Sequence, residues 1–170
     1  KMTCQIVLIT GAGGSTGYEL CHQIIKIKPK KLILLELSEF ALYKISEELK
    51  NQSQNLKIIT ILINIQNYSR VNVVFETFKV DTVYHAAAYK HVPIVEENVC
   101  EGVKNNVFGT YLIAKIAINH DVSNFVLISS DKAVRPTNIM GASKRLSEIC
   151  IQSLYYKYSK KNVKFSIVRF

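Results

Sequence analysis

The sequence predicts an α/β protein built on one doubly wound, parallel β-sheet of about six strands. Short apolar segments alternate with longer amphipathic segments along the chain, which is typical of repeated strand–helix–strand units. The short segments are continuous runs of Ile, Val and Leu, as expected for parallel strands covered by helices on both faces. With 170 residues and 48% hydrophobic content, the chain is predicted to form a single domain over 1–170.

The predicted strands and helices alternate without interruption. Strands are expected at 5–10, 31–37, 56–62, 82–87, 124–129 and 164–169, and helices at 15–27, 39–50, 69–78, 96–119 and 140–159. Right-handed crossovers between parallel strands favour the strand order 3-2-1-4-5-6. The chain ends at Phe170 within an apolar run, so we expect a fragment of a longer protein.

Composition narrows the range of ligands. The formal charge is +9, but the lysines are scattered and form no basic stripe with interleaved aromatic residues. An anionic nucleotide or a solvated surface is therefore favoured over nucleic acid. The cysteines include no C-x-x-C pair, which favours reduced thiols in a cytoplasmic protein and no metal site; they are Cys4, Cys21, Cys100 and Cys150. No apolar run approaches the ~18 residues of a membrane span, so we expect no membrane contact by this segment.

A glycine-rich turn directly follows the first predicted strand. The segment TGAGGSTG leads into an amphipathic helix, which is the context in which such a turn binds phosphate. We expect Gly11 to permit the tight turn, Gly14 to let the backbone approach a pyrophosphate, and Gly17 to let the helix pack closely on the sheet. Backbone N–H groups at the helix start, at Ser15 and Thr16, would bind the phosphates. The turn predicts a Rossmann-type dinucleotide-binding domain.

The ends of the second and third strands provide candidate contacts for the adenosine of that dinucleotide. Glu36, 19 residues after Gly17, can accept hydrogen bonds from both ribose hydroxyls and would repel a 2′-phosphate, which favours NAD over NADP. The alternative is that Glu36 only begins a loop. Asn64 and Ile65 are expected to bracket the adenine, with the Asn64 side-chain oxygen accepting from the adenine amino group.

Three further motifs read HAAAYKHVP at 85–93, NNVFGT at 105–110 and SSDKAVRPTN at 129–138. With the glycine-rich turn, they resemble the extended short-chain dehydrogenase/reductases, and among these the polysaccharide-biosynthesis branch, the UDP-N-acetylglucosamine 4,6-dehydratases of bacterial glycan pathways. The resemblance covers essentially the whole chain and implies an NAD-dependent lyase that acts on a UDP-sugar. It also implies an upstream membrane anchor, hence a location at the cytoplasmic face of the inner membrane for the full-length protein. It implies a sugar-binding region beyond Phe170 and leaves a homo-oligomer open.

Three positions depart from the pattern of that branch. Thr16 replaces an apolar residue, which leaves the turn intact, and Ile-Asn-Ile at 63–65 replaces Gly-Asp-Val, which weakens the predicted adenine contact. Met140 occupies the position of the catalytic tyrosine in the Y-x-x-x-K motif, whereas Lys144 is retained. Large membrane-anchored dehydratases of this branch share the methionine, so this departure narrows the resemblance to them.

The resemblance implies a reaction in three steps. NAD takes a hydride from C4 of the sugar, water is eliminated across C5 and C6, and the hydride returns to C6. Lys132 would remove the C5 proton, Asp131 would protonate the departing C6 hydroxyl, and Ser130, directly or through a water, would deprotonate the C4 hydroxyl. The alternative for Asp131 and Lys132 is a solvated turn.

Further residues are expected around this centre. Lys144 would bind the nicotinamide ribose one helical turn from Met140, whose thioether cannot act as a base and is assigned a packing role at the catalytic centre. Ser129 would orient the substrate. The remaining expected contacts are with the cofactor for Ala86, Ala87 and Ala88, and with the substrate for Lys90, His91 and Asn106. The alternatives are a loop histidine for His91 and, for Asn106, a helical asparagine bonded to neighbouring backbone.

Two other functions remain open at this point. A UDP-sugar 4-epimerase would share the fold and cofactor, but epimerases depend on the tyrosine that Met140 replaces and need no acid–base pair for elimination. A non-catalytic NAD-sensing module would tolerate the missing tyrosine, but it would need neither Lys144 nor the pair Asp131 and Lys132. The sequence therefore favours the dehydratase.

Overall fold

A six-stranded parallel sheet forms the centre of the computed structural model, which describes residues 5–53 and 55–170. The strand order is β3-β2-β1-β4-β5-β6, so the predicted fold class and order are confirmed. The strands are β1 (Ile6–Thr10), β2 (Lys31–Glu36), β3 (Lys57–Leu62), β4 (Thr82–His85), β5 (Asn124–Ser129) and β6 (Lys164–Arg169). The strand order reverses between β1 and β4. These two strands are parallel neighbours, so their carboxyl ends lie at the same edge of the sheet.

Seven α-helices connect the strands. They are α1 (Ser15–Lys26), α2 (Glu39–Gln52), α3 (Tyr68–Phe78), α4 (Val92–Glu97), α5 (Val99–Val103), α6 (Thr110–Asn119) and α7 (Ile139–Lys157), within the described residues. A π-helical turn (Lys104–Gly109) joins α5 to α6, and a 3-10 turn (Asp131–Ala133) follows β5. Side chains of Ser38, Asn67 and Asn138 cap α2, α3 and α7, so three starts follow the ordinary capping chemistry. None of the helices in the described part of the chain combines the length and apolarity needed to span a membrane.

The two faces of the sheet each pack against a separate hydrophobic core. Alternate residues of a strand point to opposite faces, so Val7 and Ile9 of β1 enter one core, with α1 and α2, while Leu8 enters the other, with α3, α6 and α7. Both cores cover β1 and β2, and this explains why these strands are apolar at nearly every position.

The prediction of one helix at 96–119 is wrong, because two irregularities divide this region. Helical structure begins earlier than predicted, at Val92 in α4. Pro93 lies in the first turn of α4, where a backbone N–H has no partner within the helix, so proline is accepted there. The backbone then leaves helical geometry at Asn98, with φ −130° and ψ 53°, and the Asn98 side-chain amide donates to the carbonyl of Ile94 at 2.9 Å. An asparagine side chain that bonds to local backbone competes with the helix in this way.

The second irregularity is the π-helical turn that contains Asn106. The backbone carbonyl of Asn106 accepts hydrogen bonds from the hydroxyls of Thr110 and Ser147, both at 2.6 Å. A buried carbonyl must be paired, and here side chains from α6 and α7 provide partners. The turn is thereby fixed to α7.

Three of the cysteines lie in the described part of the chain, and Cys4 lies outside it. Cys21 is buried, Cys150 is half-buried and Cys100 is exposed, and all three are free thiols. Burial raises the pKa of Cys21 to about 12, so this thiol stays protonated and behaves as a small apolar side chain.

Candidate functional site

The glycine-rich turn is shaped by close backbone contacts at two of its glycines. Gly11 has a φ of +66°, and a Cβ there would lie 2.6 Å from Cα of Ala87. A Cβ at Gly17 would lie 1.9 Å from the carbonyl oxygen of Gly11. Both positions therefore require glycine. For Gly17 the constraint comes from the turn itself, and not from packing of the helix on the sheet as expected. β4 ends at His85, two residues before its predicted end.

Gly13 and Gly14 differ in what surrounds them. A Cβ at Gly13 would lie 2.4 Å from the Cβ of Ala41, so this glycine, which the sequence analysis did not select, lets α2 approach the turn. A Cβ at Gly14 would meet only the carbonyl oxygen of Gly11 at an ordinary 3.4 Å. Because the protein itself leaves room at Gly14, the space there is available to a ligand.

The start of α1 has the properties of an anion site. Gly14 is the N-cap, no side chain of the described residues caps the helix, and its first turn contains no acidic residue. The first N–H groups of a helix have no partner within the helix, and the helix dipole favours negative charge beside them. Ser15 and Thr16 lie at this end, and the Ser15 hydroxyl accepts a hydrogen bond from the Lys90 ammonium at 2.8 Å. A phosphate at this position would therefore lie close to a lysine as well.

A cleft of about 420 Å³ opens beside the turn, at the carboxyl ends of the central strands. Its walls come from the turn, the ends of β2 and β3, and the loop after β4. The lining residues are Gly11, Gly13, Gly14, Leu35, Glu36, Leu37, Ser38, Ala41, Ile63, Asn64, Ile65, Ala86, Ala87, Ala88, Tyr89 and Asn105. The volume is within the ordinary range for small-molecule sites, and the position is the one at which open α/β sheets bind ligands.

Glu36 and Asn64 both line this cleft and already make hydrogen bonds to the backbone. The Glu36 carboxylate accepts from the N–H of Gly13 at 2.9 Å and from the N–H groups of Leu37 and Ser38 at 2.8 and 3.1 Å. The side-chain oxygen of Asn64 accepts from the N–H of Gln66 at 2.9 Å. A carboxylate has about four acceptor positions and an amide oxygen two, so each side chain retains capacity for a ligand.

The side chain of Asn106 fixes the loop after β4 through hydrogen bonds to its backbone. Its side-chain oxygen accepts from the N–H of Tyr89 at 2.8 Å, and its side-chain nitrogen donates to the carbonyl of Tyr89 and to the Ser143 hydroxyl, both at 2.9 Å. Asn106 is 1% exposed, so it clamps the loop to α7 from the interior. The side-chain oxygen also accepts from the Asn105 side chain at 3.2 Å, but the backbone bound by Asn106 is that of Tyr89, 17 residues away, and not the neighbouring helical backbone of the alternative. His91, by contrast, is exposed at the start of α4.

His85 continues this internal network to the glycine-rich turn. The imidazole Nδ1 lies 2.7 Å from the Thr10 hydroxyl and Nε2 lies 2.9 Å from the Thr110 hydroxyl. Thr110 donates its own proton to the carbonyl of Asn106, so it must accept from Nε2–H of the neutral imidazole, and Nδ1 must accept from Thr10. Burial, with a smaller contribution from the Lys144 charge, lowers the pKa of His85 to about 3. A neutral histidine of one tautomer therefore connects β1 to the π-helical turn.

The predicted acid–base residues follow β5 in the 3-10 turn and are exposed. Asp131 Oδ1 accepts from the Ser130 hydroxyl at 2.9 Å and lies 3.6 Å from the Lys132 ammonium. The hydrogen bonds from the Ser130 hydroxyl and the Lys132 N–H, followed by the Lys132 charge, lower the pKa of Asp131. A Cβ at Gly141 would lie 2.3 Å from the carbonyl oxygen of Lys132, so the turn packs directly on the start of α7.

Met140 and Lys144 are both buried on α7. Met140 is 3% exposed, as expected for a packing role. The Lys144 ammonium donates to the carbonyl of Ile128, in β5, at 2.6 Å, and burial lowers the pKa of Lys144 to about 8 while the Glu148 charge opposes that effect. An ammonium has three protons, so Lys144 can bind a ligand without losing this bond.

A buried ion cluster at the end of β5 was missed by the sequence analysis. The Ser129 hydroxyl, predicted to orient substrate, is buried and donates to Glu148 at 2.7 Å. Arg145 and Arg169 also donate to this carboxylate. The spacing of Lys144 and Glu148, one turn apart on the buried face of a helix, was the only signal in the sequence.

The doubly wound sheet, the glycine-rich turn at the first strand and the cleft at the strand reversal define a Rossmann-type dinucleotide-binding domain. Comparison with known protein families is more specific. Residues 7–170 match the family described as "Polysaccharide biosynthesis protein". The chain belongs to this family, in the polysaccharide-biosynthesis branch of the extended short-chain dehydrogenase/reductases.

Three curated relatives illustrate the range of similar proteins. The chain is 45% identical to the capsular polysaccharide biosynthesis protein CapD of Staphylococcus aureus, over 100% of this chain and 28% of CapD. It is 28% identical to the UDP-N-acetylglucosamine 4,6-dehydratase (inverting) of Campylobacter jejuni, over 96% of this chain and 48% of that enzyme. It is 33% identical to the UDP-glucose 4-epimerase of Rickettsia canadensis, over 84% of this chain and 41% of that enzyme. The chain therefore spans less than half the length of each of them.

Proposed function

We propose that this chain is the cofactor-binding part of a nucleotide-sugar 4,6-dehydratase that acts on UDP-N-acetylglucosamine in polysaccharide biosynthesis. The proposal depends chiefly on one observation, the adjacent and exposed Asp131 and Lys132 beside the start of α7. An acid and a base in contact after β5, at the edge of the sheet where open α/β sheets bind ligands, suit an elimination from a bound sugar. The similarity to a known dehydratase over nearly the whole chain supports the same conclusion.

The cleft beside the glycine-rich turn fits NAD. Its pyrophosphate would bind at the uncapped start of α1, and its adenosine would lie between Glu36 and the pair Asn64 and Ile65. Bound NAD would supply a hydride acceptor for C4 of the sugar and would return that hydride to C6. Lys144 uses one of its three N–H donors for the carbonyl of Ile128, and the others would bind the nicotinamide ribose.

The Ser130–Asp131 hydrogen bond suggests where the proton of the C4 hydroxyl goes. Ser130 would receive that proton as the hydride leaves C4, and would pass its own proton across the 2.9 Å hydrogen bond to the Asp131 carboxylate. This relay explains how a carboxyl group with a lowered pKa becomes protonated when it is needed as an acid. Asp131 would then give the same proton to the departing C6 hydroxyl, which leaves as water.

Lys132 would complete the elimination as the base at C5. In its unprotonated form it would take the C5 proton, which the new 4-keto group makes acidic, and the electron pair would form the C5–C6 double bond as water leaves. Addition of the hydride at C6 and return of the proton from Lys132 to C5 would finish the reaction. The sugar loses one water in total, and Ser130, Asp131 and Lys132 regain their original protonation states.

A UDP-sugar 4-epimerase is the second candidate, favoured by the 33% identity to an epimerase. The two reactions share removal of hydride from C4, but an epimerase returns the hydride to C4 and loses no water. It therefore has no use for an acid and a base directed at C5 and C6. The buried Met140, in place of a tyrosine that epimerases use as base, also favours the dehydratase.

Mass spectrometry of UDP-N-acetylglucosamine after incubation with the full-length protein tests the proposal. Loss of one water is expected, and Lys132→Ala should abolish it without loss of NAD binding. An unchanged mass with an inverted C4 would instead identify an epimerase. An unchanged sugar together with tight NAD binding would favour the sensing module over either enzyme.

A further inference from the structure

The carboxylate of Glu148 lies at the centre of the ion cluster behind the acid–base turn. Its side chain is 0% exposed and accepts hydrogen bonds from the Ser129 hydroxyl at 2.7 Å, from Arg145 at 2.9 Å, and from Arg169 at 2.8 and 2.6 Å. The two contacts with Arg169 are of the bidentate kind that holds a guanidinium in one orientation. Glu148 thus joins α7 to the ends of β5 and β6.

The charge of this buried carboxylate is well compensated. Burial on its own raises the pKa of Glu148, but the hydrogen bonds from Arg169, Ser129 and Arg145 together lower it to about 2. Glu148 is therefore ionised at every physiological pH. The two arginines are 42% and 40% exposed, so they reach solvent while the carboxylate does not.

Both chain segments that hold the acid–base turn are attached to Glu148. Ser129 immediately precedes Ser130, the N-cap of the 3-10 turn. Arg169 immediately precedes Phe170, whose carbonyl accepts a hydrogen bond of 2.8 Å from the N–H of Asp131. A displacement of either segment would therefore move the carboxylate of Asp131 relative to the cleft.

We propose that Glu148 is a positioning residue for the acid–base turn, and that it acts through Ser129 and through Arg169 and Phe170 without contacting the substrate. The proposal rests on the proposed function for the roles of Ser130, Asp131 and Lys132. A displacement of about 1 Å can slow a reaction by roughly 10²-fold, so an anchor of this kind has a measurable effect on the rate.

A comparison of two arginine variants in the full-length protein separates positioning from simple stabilisation. Arg169→Gln and Arg145→Gln each remove one cation from Glu148, but only Arg169 is attached to the segment that holds Asp131. We expect Arg169→Gln to slow water loss by roughly 10²-fold and Arg145→Gln by only a few-fold. Glu101→Gln, which removes an exposed carboxylate paired with Lys104, should leave the rate unchanged.

Hydrogen–deuterium exchange of the segment around Asp131 provides a readout that does not depend on the reaction. The Asp131 amide should exchange faster in Glu148→Gln and in Arg169→Gln than in the unmutated protein, because its bond to Phe170 is weakened. Glu148→Asp, which keeps the charge on a shorter side chain, should restore part of the protection. Arg145→Gln should leave the exchange near that of the unmutated protein.

The outcomes distinguish the two proposals. If the arginine variants change the rate and the exchange to the same extent, or if Glu148→Gln changes neither, the positioning role is wrong. If the unmutated protein eliminates no water but the exchange pattern is as expected, the proposed reaction is wrong while the anchoring of the turn by Glu148 stands. If Glu148→Gln does not fold, the comparison of Arg169→Gln with Arg145→Gln still decides the question.

Discussion

The carboxylate of Glu36 accepts a hydrogen bond of 2.9 Å from the backbone N–H of Gly13, so the end of β2 is attached to the glycine-rich turn. The residue assigned to the ribose therefore also holds the backbone assigned to the pyrophosphate. A substitution at Glu36 has two separable effects, one from the loss of charge and one from the loss of an acceptor.

The first prediction concerns the choice of cofactor. Glu36→Gln removes the charge but keeps a side-chain oxygen that can accept from Gly13. We expect the preference for NAD over NADP to narrow by roughly tenfold, since the repulsion of the 2′-phosphate is lost, with a smaller effect on NAD affinity. Glu36→Ala should weaken NAD binding further, because the turn loses its anchor. Calorimetric titration with NAD and with NADP measures both affinities. If the unmutated chain binds NADP more tightly than NAD, Glu36 does not contact the ribose as proposed.

The second prediction separates the steps of the reaction in the full-length enzyme. Lys132→Ala should still reduce NAD, because C4 oxidation does not need the base at C5, but it should stop both water loss and uptake of solvent deuterium at C5. Asp131→Asn should slow NAD reduction as well, because Ser130 loses its proton acceptor. A general acid or base contributes about 10²–10⁴-fold, so both effects should be large.

An exposed ion pair elsewhere on the chain provides the control for these substitutions. Lys161 and Asp121 are 2.7 Å apart and about as exposed as Lys132 and Asp131. Lys161→Ala should leave NAD reduction, deuterium uptake and water loss unchanged. Near-normal rates in both Lys132→Ala and Asp131→Asn would show that the assigned mechanism is wrong even if the cofactor is right.

The third prediction concerns Met140. Its side chain is buried, so Met140→Ala should lower the free energy of unfolding by about 2–5 kcal/mol, whereas Met140→Leu, which conserves volume, should lower it by less than about 1.5 kcal/mol. Since a thioether is no base, Met140→Leu should keep the rate of water loss within a few-fold of normal. A loss of rate in Met140→Leu as large as that in Lys132→Ala would contradict a packing role.

The fourth prediction follows from the low pKa of His85. The folded chain keeps this imidazole neutral down to about pH 3, whereas the unfolded chain binds a proton from about pH 6.5 downward. The unfolded state therefore holds more protons in this window, and the free energy of unfolding falls by about 1.4 kcal/mol per pH unit as the pH drops. The stabilisation by neutral His85 is fully present above about pH 6.5 and is lost as the pH falls from there toward about 3.

Urea unfolding at pH 7 and pH 5 measures this contribution. His85→Gln should be less stable than the unmutated chain at pH 7, since the bridge between Thr10 and Thr110 is impaired, but it should lose about 2 kcal/mol less on acidification. Glu148, with a pKa of about 2, loses its contribution only below about pH 4.5 and does not interfere. Parallel losses in the two proteins would show that His85 is protonated in the folded state.

The strands and the glycine-rich turn were predictable because their signals are local. Continuous apolar runs identify buried parallel strands, and Gly11 and Gly17 are required by contacts within or beside the same turn. The need for glycine at position 13 was not predicted, because it comes from contact with Ala41 on the next helix. The predicted roles of Asp131 and Lys132 came from resemblance, and the geometry adds their contact with Ser130 and α7.

The buried polar residues could not be predicted from one sequence. Glu148 is recognisable as an anchor only when Ser129 and Arg169, which come from different strands, are placed around it. The division of the predicted helix at 96–119 depends on Asn98, whose side chain competes with the helix, and on the π-helical turn. The hydrophobic periodicity of a sequence indicates the apolar face of a helix, but it does not show where a polar side chain competes for the helix backbone.

The π-helical turn at Lys104–Gly109 has a consequence for which changes of chain length the domain can accept. Each residue of an α-helix advances the chain by about 100°, so deleting one residue from α5, directly before the turn, would rotate the Asn106 side chain away from Tyr89 and Ser143. Substitutions on the exposed surface of this turn leave that register intact, whereas a single deletion shifts it. In homologous chains, insertions and deletions should therefore be rare between α5 and α6, even where the residues themselves vary widely.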